Sequence, residues 1–371
     1  MVRRISKILA MFWLLSALAI AQSAEQRKQT WIKESQRPQL PAKKAVDGHL
    51  MRVGTITSPS ELADRFYRPM KCDNDGNLYL RTEVAGLPAI HKLNAKGEMV
   101  ALFEARSNPN NTNKVDAASY FAFDPEGGDL YELVYPHEPG RYVYVYKADG
   151  TFKSAVKLRA GFPIVPKTLA VFPSGQFLIS GEEYDADRTA AMWPFTGIFA
   201  ADGALLKELD VGDEKELHDM AVAGDLRAVR PGSISNRAVD GGWAEMGADG
   251  NAYLMRWTDP AIFYAISAGG EVVRRFTVDP AEPGYLPWGV HVYKNRIAVL
   301  FEEGQRHDKI LKIVDLEGHE IATYDEPRKA DGKPGDAISA AFACYTENPT
   351  RFVSLGSDDD NKVQFWIAEP R

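Results

Sequence analysis

The chain has 371 residues, 45% of them hydrophobic and 26% charged, and a formal net charge of −7. That length suits two ordinary domains or one large repeat fold, and the apolar share is enough for a substantial core. The acidic balance excludes nucleic acid and anionic lipid as electrostatically steered partners.

Arg3, Arg4 and Lys7 precede an apolar run from Ile8 to Ala21, and Ala21-Gln22-Ser23-Ala24 supplies small residues for cleavage. A basic start, a short apolar run and a small-residue site make a secretory signal, too short to span a bilayer. Residues 1–24 are therefore expected to be removed, with cleavage near Ala21–Ala24. The mature chain is expected to be secreted or periplasmic, with no membrane span. Residues 25–48 are polar and basic, with scattered prolines and no period, and read as a flexible leader. A single domain is expected over 49–371. It opens on Leu50–Ile56, a lone strand with no hairpin partner nearby.

A repeat then sets in. Cys72-Asp73-Asn74-Asp75-Gly76-Asn77-Leu78-Tyr79-Leu80 reads as a strand end, a tight turn and a new strand. Copies follow at Phe123–Tyr131, Val171–Leu178 and Gly247–Leu254, and weaker ones at Gly289–Leu300 and Ser339–Leu355. A second strand–turn–strand comes after each of the first five, with turn glycines at Gly97, Gly150, Gly203, Gly270 and Gly318, at intervals of 53, 53, 67 and 48 residues. Turn dipeptides with glycine between period-two apolar runs are a strong hairpin signal. Helix-period segments are nearly absent; Asp213–Val222 is the best of them.

Four strands per period at a fixed interval predict radial repetition, an all-β six-bladed β-propeller. Five blades are complete. The last has an inner pair and a third strand at Val363–Ile367, and then the chain ends. Leu50–Ile56 can fill the vacancy, closing the ring and leaving no free sheet edge. Cys72 and Cys344 then lie on inner strands of the first and last blades, neighbours in a closed ring. In an exported protein such a pair can bridge. The alternative is two buried thiols, their strands standing beyond bridging reach. Both readings stay open on the sequence.

Asp73–Leu80 followed by Ile90–Glu98 resembles the repeat of six-bladed propellers of the NHL and TolB-like kind. The resemblance runs over residues 50–371, and its motif specifies blades and turns. That superfamily includes gluconolactonase-like metal-dependent hydrolases, lyases and pure binding scaffolds, so the fold does not give the function. The hydrolase site implied by the resemblance needs a glutamate, an aspartate and one or two asparagines from different inner strands. Here the inner strands offer Arg68, Lys71, Ser119, Tyr120, Lys167, Thr168, Trp243, Glu245, His291 and Ser339. Glu245 alone among these is acidic, and none is an asparagine.

The two glycine-turn connections share one face, which leaves the long connections on the other. Binding residues concentrate on long loops held by a rigid scaffold. The expected ligand face therefore carries Glu183, Tyr184, Trp193, Arg256, Trp257, Trp288 and Glu302, with His291 entering from an inner strand. Asp73-Asn74-Asp75-Gly76 starts like a calcium loop but has Val84 where that loop needs glutamate, and reads as a hairpin turn. Tyr142, Tyr144 and Tyr146 share one sheet face and read as blade packing. No serine elbow, phosphate loop or dinucleotide fingerprint is present.

The sequence thus leads to an exported propeller that binds a small ligand or a protein partner on its long-loop face, without catalysis. The competing reading is a metal-dependent hydrolase or lyase of the gluconolactonase-like type, acting on a small polar substrate. No cofactor is assigned. A divalent cation, Ca²⁺ or Mg²⁺, belongs to the second reading.

Overall fold

The computed structural model describes residues 46–59, 67–84, 87–104, 115–123, 128–136, 140–183, 193–211, 239, 241–280, 284–304, 307–330, 332–333, 335–357 and 363–371. Residues 1–24, most of residues 25–48 and Asp213–Val222, expected above as signal, leader and helix-period segment, lie outside them. The described chain is all-β, a propeller of radially arranged sheets.

In chain order the strands are β1 (Gly48–Thr57), β2 (Tyr67–Cys72), β3 (Leu78–Val84), β4 (Leu87–Leu93), β5 (Met99–Glu104), β6 (Val115–Phe123), β7 (Leu130–Pro136) and β8 (Tyr142–Tyr146). They continue with β9 (Phe152–Lys157), β10 (Ile164–Val171), β11 (Phe177–Glu183), β12 (Trp193–Phe199), β13 (Leu205–Glu208), β14 (Trp243–Met246), β15 (Ala252–Arg256) and β16 (Ala261–Ile266). The last are β17 (Val272–Val278), β18 (Tyr285–Tyr293), β19 (Arg296–Glu303), β20 (Lys309–Asp315), β21 (Glu320–Asp325), β22 (Phe342–Thr346), β23 (Arg351–Ser357) and β24 (Val363–Pro370). Among the described residues no helix is long and apolar enough to cross a membrane.

β2–β5, β6–β9, β10–β13 and β14–β17 each form a four-stranded antiparallel sheet in chain order. The remaining strands form one eight-stranded sheet, ordered β18-β19-β20-β21-β1-β24-β23-β22. Separate four-stranded sheets were expected throughout, and β1 is the reason for the difference. It runs antiparallel to β24, pairing Leu50 with Pro370 and Thr57 with Gln364. Its first two residues also pair in parallel with β21, Gly48 with Tyr324 and His49 with Asp325. Asp47 secures that junction: its amide donates to the Thr323 carbonyl at 2.7 Å, and its carboxylate accepts from the Thr323 amide at 2.8 Å.

The innermost strands contact one another in the order β2, β6, β10, β14, β18 and β22, and β22 contacts β2, so the ring closes. Cys72 and Cys344 are joined in a disulfide between β2 and β22, with 5.5 Å between Cα atoms. Middle strands such as β15 and β16 are buried along their whole length, because neighbouring sheets cover both faces. Outer strands are more open: β13 is exposed after its first residue and β17 at its first two. Tyr144 and Tyr146 pack with Ile90, Ala101 and Phe103 of the preceding sheet, with Tyr142 against the cluster's edge.

Local chemistry makes the turns. Asp73 Oδ1 accepts from the amides of Asp75 at 3.0 Å and Asn77 at 2.9 Å, and Gly76 takes φ +79°. Asp149, Asp202, Asp249 and Asp315 bond the amide two residues on in the same way. The second-hairpin glycines carry a further constraint. A Cβ at Gly150 would sit on the Leu102 carbonyl of β5, one at Gly203 on the Lys157 carbonyl of β9, and one at Gly97 on β1 at Thr57. Gly150 combines φ +89° with that contact, so Gly150→Val is expected to cost roughly 3 kcal/mol, read as a lowered urea midpoint.

Glu132 on β7 is fully buried and accepts a hydrogen bond from the Tyr146 hydroxyl at 3.0 Å. Burial pushes its carboxyl up to about 7, against the opposing pull of Tyr146 and Arg81. The folded state therefore holds this proton more tightly than the unfolded chain, whose value lies near 4.5. The stability gained is fully present below that value and is lost as pH rises through 7, by roughly 3 kcal/mol. Glu132→Gln is expected to flatten this slope in melts between pH 4 and 8.

Candidate functional site

A cavity of about 320 Å³ opens on the channel axis at the tight-turn end of the ring. Inner strands run toward this end, so their last residues wall it: Lys71 and Cys72 of β2, Ala122 and Phe123 of β6, Ala170 and Val171 of β10, Glu245 and Met246 of β14, His291 and Val292 of β18. The turn Asp73-Asn74-Asp75, with Tyr79 and Lys92 behind it, forms part of the rim.

The inner end of the cavity is a polar layer crossing the axis. Lys71 Nζ donates to the Ala244 carbonyl at 2.9 Å, lies 3.7 Å from Glu245 Oε1 and sits 4.3 Å from the centre of the Tyr120 ring. Glu245 Oε1 also accepts the Trp243 indole N–H at 2.9 Å, and Oε2 accepts the Val292 amide at 2.7 Å. The Tyr120 hydroxyl accepts the Ala244 amide at 2.8 Å. Strands β2, β6, β14 and β18 are thereby tied through side chains.

Burial governs the acid–base character of this layer. It holds the Lys71 amine down at about 8, against the upward pull of Glu245. Burial and the Glu245 charge push the Tyr120 phenol well above its ordinary value. His291 is pulled below the usual imidazole range, again chiefly by burial. The Tyr345 amide donates to His291 Nδ1 at 2.9 Å, so the neutral ring carries its proton on Nε2, which faces Cys72 Sγ at 3.4 Å.

Of the residues expected to bind ligand, His291 lines this cavity. Glu183, Arg256, Trp257, Trp288 and Glu302 lie at or near the opposite ends of the strands. Arg256 closes β15; its guanidinium is buried and donates to Ser180 Oγ at 2.5 Å and Thr196 Oγ1 at 3.0 Å. Trp257 and Trp288 meet edge to face, ring centres 5.6 Å apart. Glu302, near the end of β19, binds His307 Nδ1 at 2.6 Å. Glu183 ends β11 and pairs through its backbone with Trp193. Tyr184 and the side chain of Trp193 lie outside the described residues. Among the described residues of this set, the structure brings together Trp257 with Trp288. Lys71, Tyr120, Trp243 and Glu245, inner-strand residues by sequence, are the ones that converge.

The polar layer does not fit a divalent ion. Among the described residues no three His, Cys, Asp or Glu side chains come together to hold a metal. Glu245 has each oxygen taken by an N–H donor and faces the Lys71 amine, which repels a second cation. Asp73 is likewise taken up by its own turn, accepting also from the Asn77 side chain at 2.8 Å and the Tyr79 hydroxyl at 3.1 Å.

No family model matches the sequence, and no curated protein matches it. Solved structures do match in fold. A protein of unknown function from Dyadobacter fermentans is 11% identical, with a TM-score of 0.51 over 88% of this chain and 100% of that one. A protein assigned as TolB from Agrobacterium tumefaciens is 12% identical, with a TM-score of 0.43 over 83% and 90%. The β-propeller domain of the trilobed protease from Pyrococcus furiosus is 12% identical, with a TM-score of 0.38 over 85% and 94%. The chain is a β-propeller. At these identities the likeness is one of fold alone.

Proposed function

We propose that this propeller is an exported binding protein that holds a small polar molecule in the axial cavity at its tight-turn end. The observation that carries the reading is the cavity itself, about 320 Å³, with the Lys71–Glu245 layer at its inner end and His291 in its wall. Small-molecule sites are concave, of this order of size, and hold a few convergent polar groups with shifted acidities. Cations at Lys71 and Lys92 face acids at Asp73, Asp75 and Glu245, a balance that suits a neutral or zwitterionic ligand better than a polyanion.

The same reading takes the ring as six blades, with residues 49–371 as one domain. On that count the eight-stranded sheet is two blades, and β1 is the outermost strand of the last. Gly97 supports this, since it abuts β1 as Gly150 abuts β5 and Gly203 abuts β9. Export rests on the basic, apolar and small-residue start of the chain and on the disulfide, which persists in oxidising compartments.

The test is a melt of the mature protein against small aldoses, hydroxy acids, keto acids and amino acids in turn. A ligand that binds only the folded state adds about 2.7 kcal/mol at a hundredfold excess over its dissociation constant. Asn74, exposed on the rim, takes Asn74→Trp at little folding cost and blocks the mouth. The reading expects a stabilising compound whose effect vanishes in Asn74→Trp. A set with no stabilising member, or a shift that Asn74→Trp leaves intact, contradicts it.

A further inference from the structure

Lys71 differs from the other buried lysines in what surrounds its nitrogen. Lys309 and Lys312 are buried too, but each bonds a carboxylate directly, Glu326 at 2.8 Å and Glu320 at 2.6 Å, and neither lines the cavity. Lys71 lines the cavity, bonds a neutral carbonyl and keeps its carboxylate at 3.7 Å, beyond a hydrogen bond. Burial loosens the proton of a lysine so placed, against the opposing pull of Glu245. Its neighbour Glu245 is near enough to take that proton once a ligand draws the two together, and it lines the same cavity. The aromatic faces of Tyr120 and Trp243, 4.3 Å and 5.9 Å from Nζ, exclude water from the other side.

We propose that Lys71 captures an aldehyde or ketone ligand of this cavity as an imine, with Glu245 carrying the proton. The proposal rests on the binding reading above and adds the class of ligand. The steps balance without any oxidant or reductant. Lys71 gives a proton to Glu245, and its lone pair attacks the carbonyl carbon. The C–N bond forms as the C=O π pair moves to oxygen, which takes the proton from Glu245. The nitrogen passes a second proton through Glu245 to that hydroxyl, which leaves as water, and its third proton goes to Glu245 as C=N forms. The net change is the Lys71 ammonium, the carbonyl and the Glu245 carboxylate giving imine, water and the Glu245 carboxylic acid. Burial lowers the Lys71 pKa to about 8, which supplies a useful share of free amine near neutral pH.

The experiment treats the full mature chain near pH 7 with glyceraldehyde or pyruvate and limiting cyanoborohydride, then maps adducts by peptide mass. The proposal expects Lys71 to be modified ahead of exposed lysines such as Lys96 and Lys153. The rate at Lys71 should rise through pH 8, where exposed lysines rise much later. Glu245→Gln, with its folded spectrum checked by circular dichroism, should slow it about a hundredfold, the usual scale for a lost proton carrier. Modification of Lys71 no faster than of the exposed lysines overturns the proposal, as does a rate indifferent to Glu245→Gln. Lactate, which lacks the carbonyl, separates the two readings. If lactate stabilises the protein and Asn74→Trp abolishes the effect while Lys71 stays unmodified, the imine falls and the binding site stands. If neither probe acts at the cavity, both fall.

Discussion

Replacing Cys72 and Cys344 together by alanine is expected to lower the unfolding free energy by about 4–5 kcal/mol. The bond closes a loop of 272 residues between the first and last inner strands. Such a loop restricts the unfolded chain strongly, while the folded ring holds the two Cα atoms 5.5 Å apart in any case. The loss should appear as a lower urea midpoint, and dithiothreitol should move the wild type toward the variant without moving the variant. The effect should not abolish folding, because β1 pairs with β24 over most of its length and closes the ring independently. A wild-type midpoint indifferent to reductant, with two free thiols titrated after unfolding, would contradict the account.

Glu245→Ala is expected to cost about 3–5 kcal/mol, the scale for removing one partner of a buried charge pair. The change strands the Lys71 ammonium with no anion nearby and leaves the Trp243 indole and Val292 amide without their acceptor. Lys71 answers by shedding its proton more readily than the wild type, which does so at about 8, so part of the loss should recover as pH rises toward 8. Lys71→Met is expected to cost less, because an apolar side chain fits among Tyr120, Phe121 and Trp243, the rings around Nζ. The double variant Lys71→Met/Glu245→Leu should be more stable than Glu245→Ala alone. A double-mutant cycle gives the coupling; a value indistinguishable from zero would mean that the two side chains do not meet across the axis.

Much of the fold was legible because its signals are local. Asp73 and Gly76 make a turn from four neighbouring residues, and the same chemistry recurs at Asp149–Gly150, Asp202–Gly203 and Asp249–Gly250. The lone strand at Leu50–Ile56 could be matched to a vacancy because strands must be paired. What could not be read was its second partner. The two-residue bridge to β21 depends on where the chain enters the ring, and it fuses sheets that repeat counting keeps apart.

The proposed axial cavity was legible only in part. Inner strands were identified, and with them Lys71, Tyr120, Trp243, Glu245 and His291. Loop length, however, points to the other end of the strands, where Arg256, Trp257, Trp288 and Glu302 lie. The reason is that loop length reports on connections, whereas a channel is open or filled according to which side chains meet on its axis. Lys71 and Ala244 are bonded across 173 positions of sequence, and nothing local marks them as neighbours.

The most direct measurement follows the tryptophan indole N–H signals in a ¹⁵N–¹H spectrum while glyceraldehyde, pyruvate and lactate are added in turn. The Trp243 indole binds Glu245 beside the cavity, whereas Trp257 and Trp288 lie together near the other ends of the strands. The account predicts that a binding compound moves the Trp243 signal and leaves Trp257 and Trp288 in place. Shifts confined to Trp257 and Trp288 would contradict it and put the ligand among the long loops.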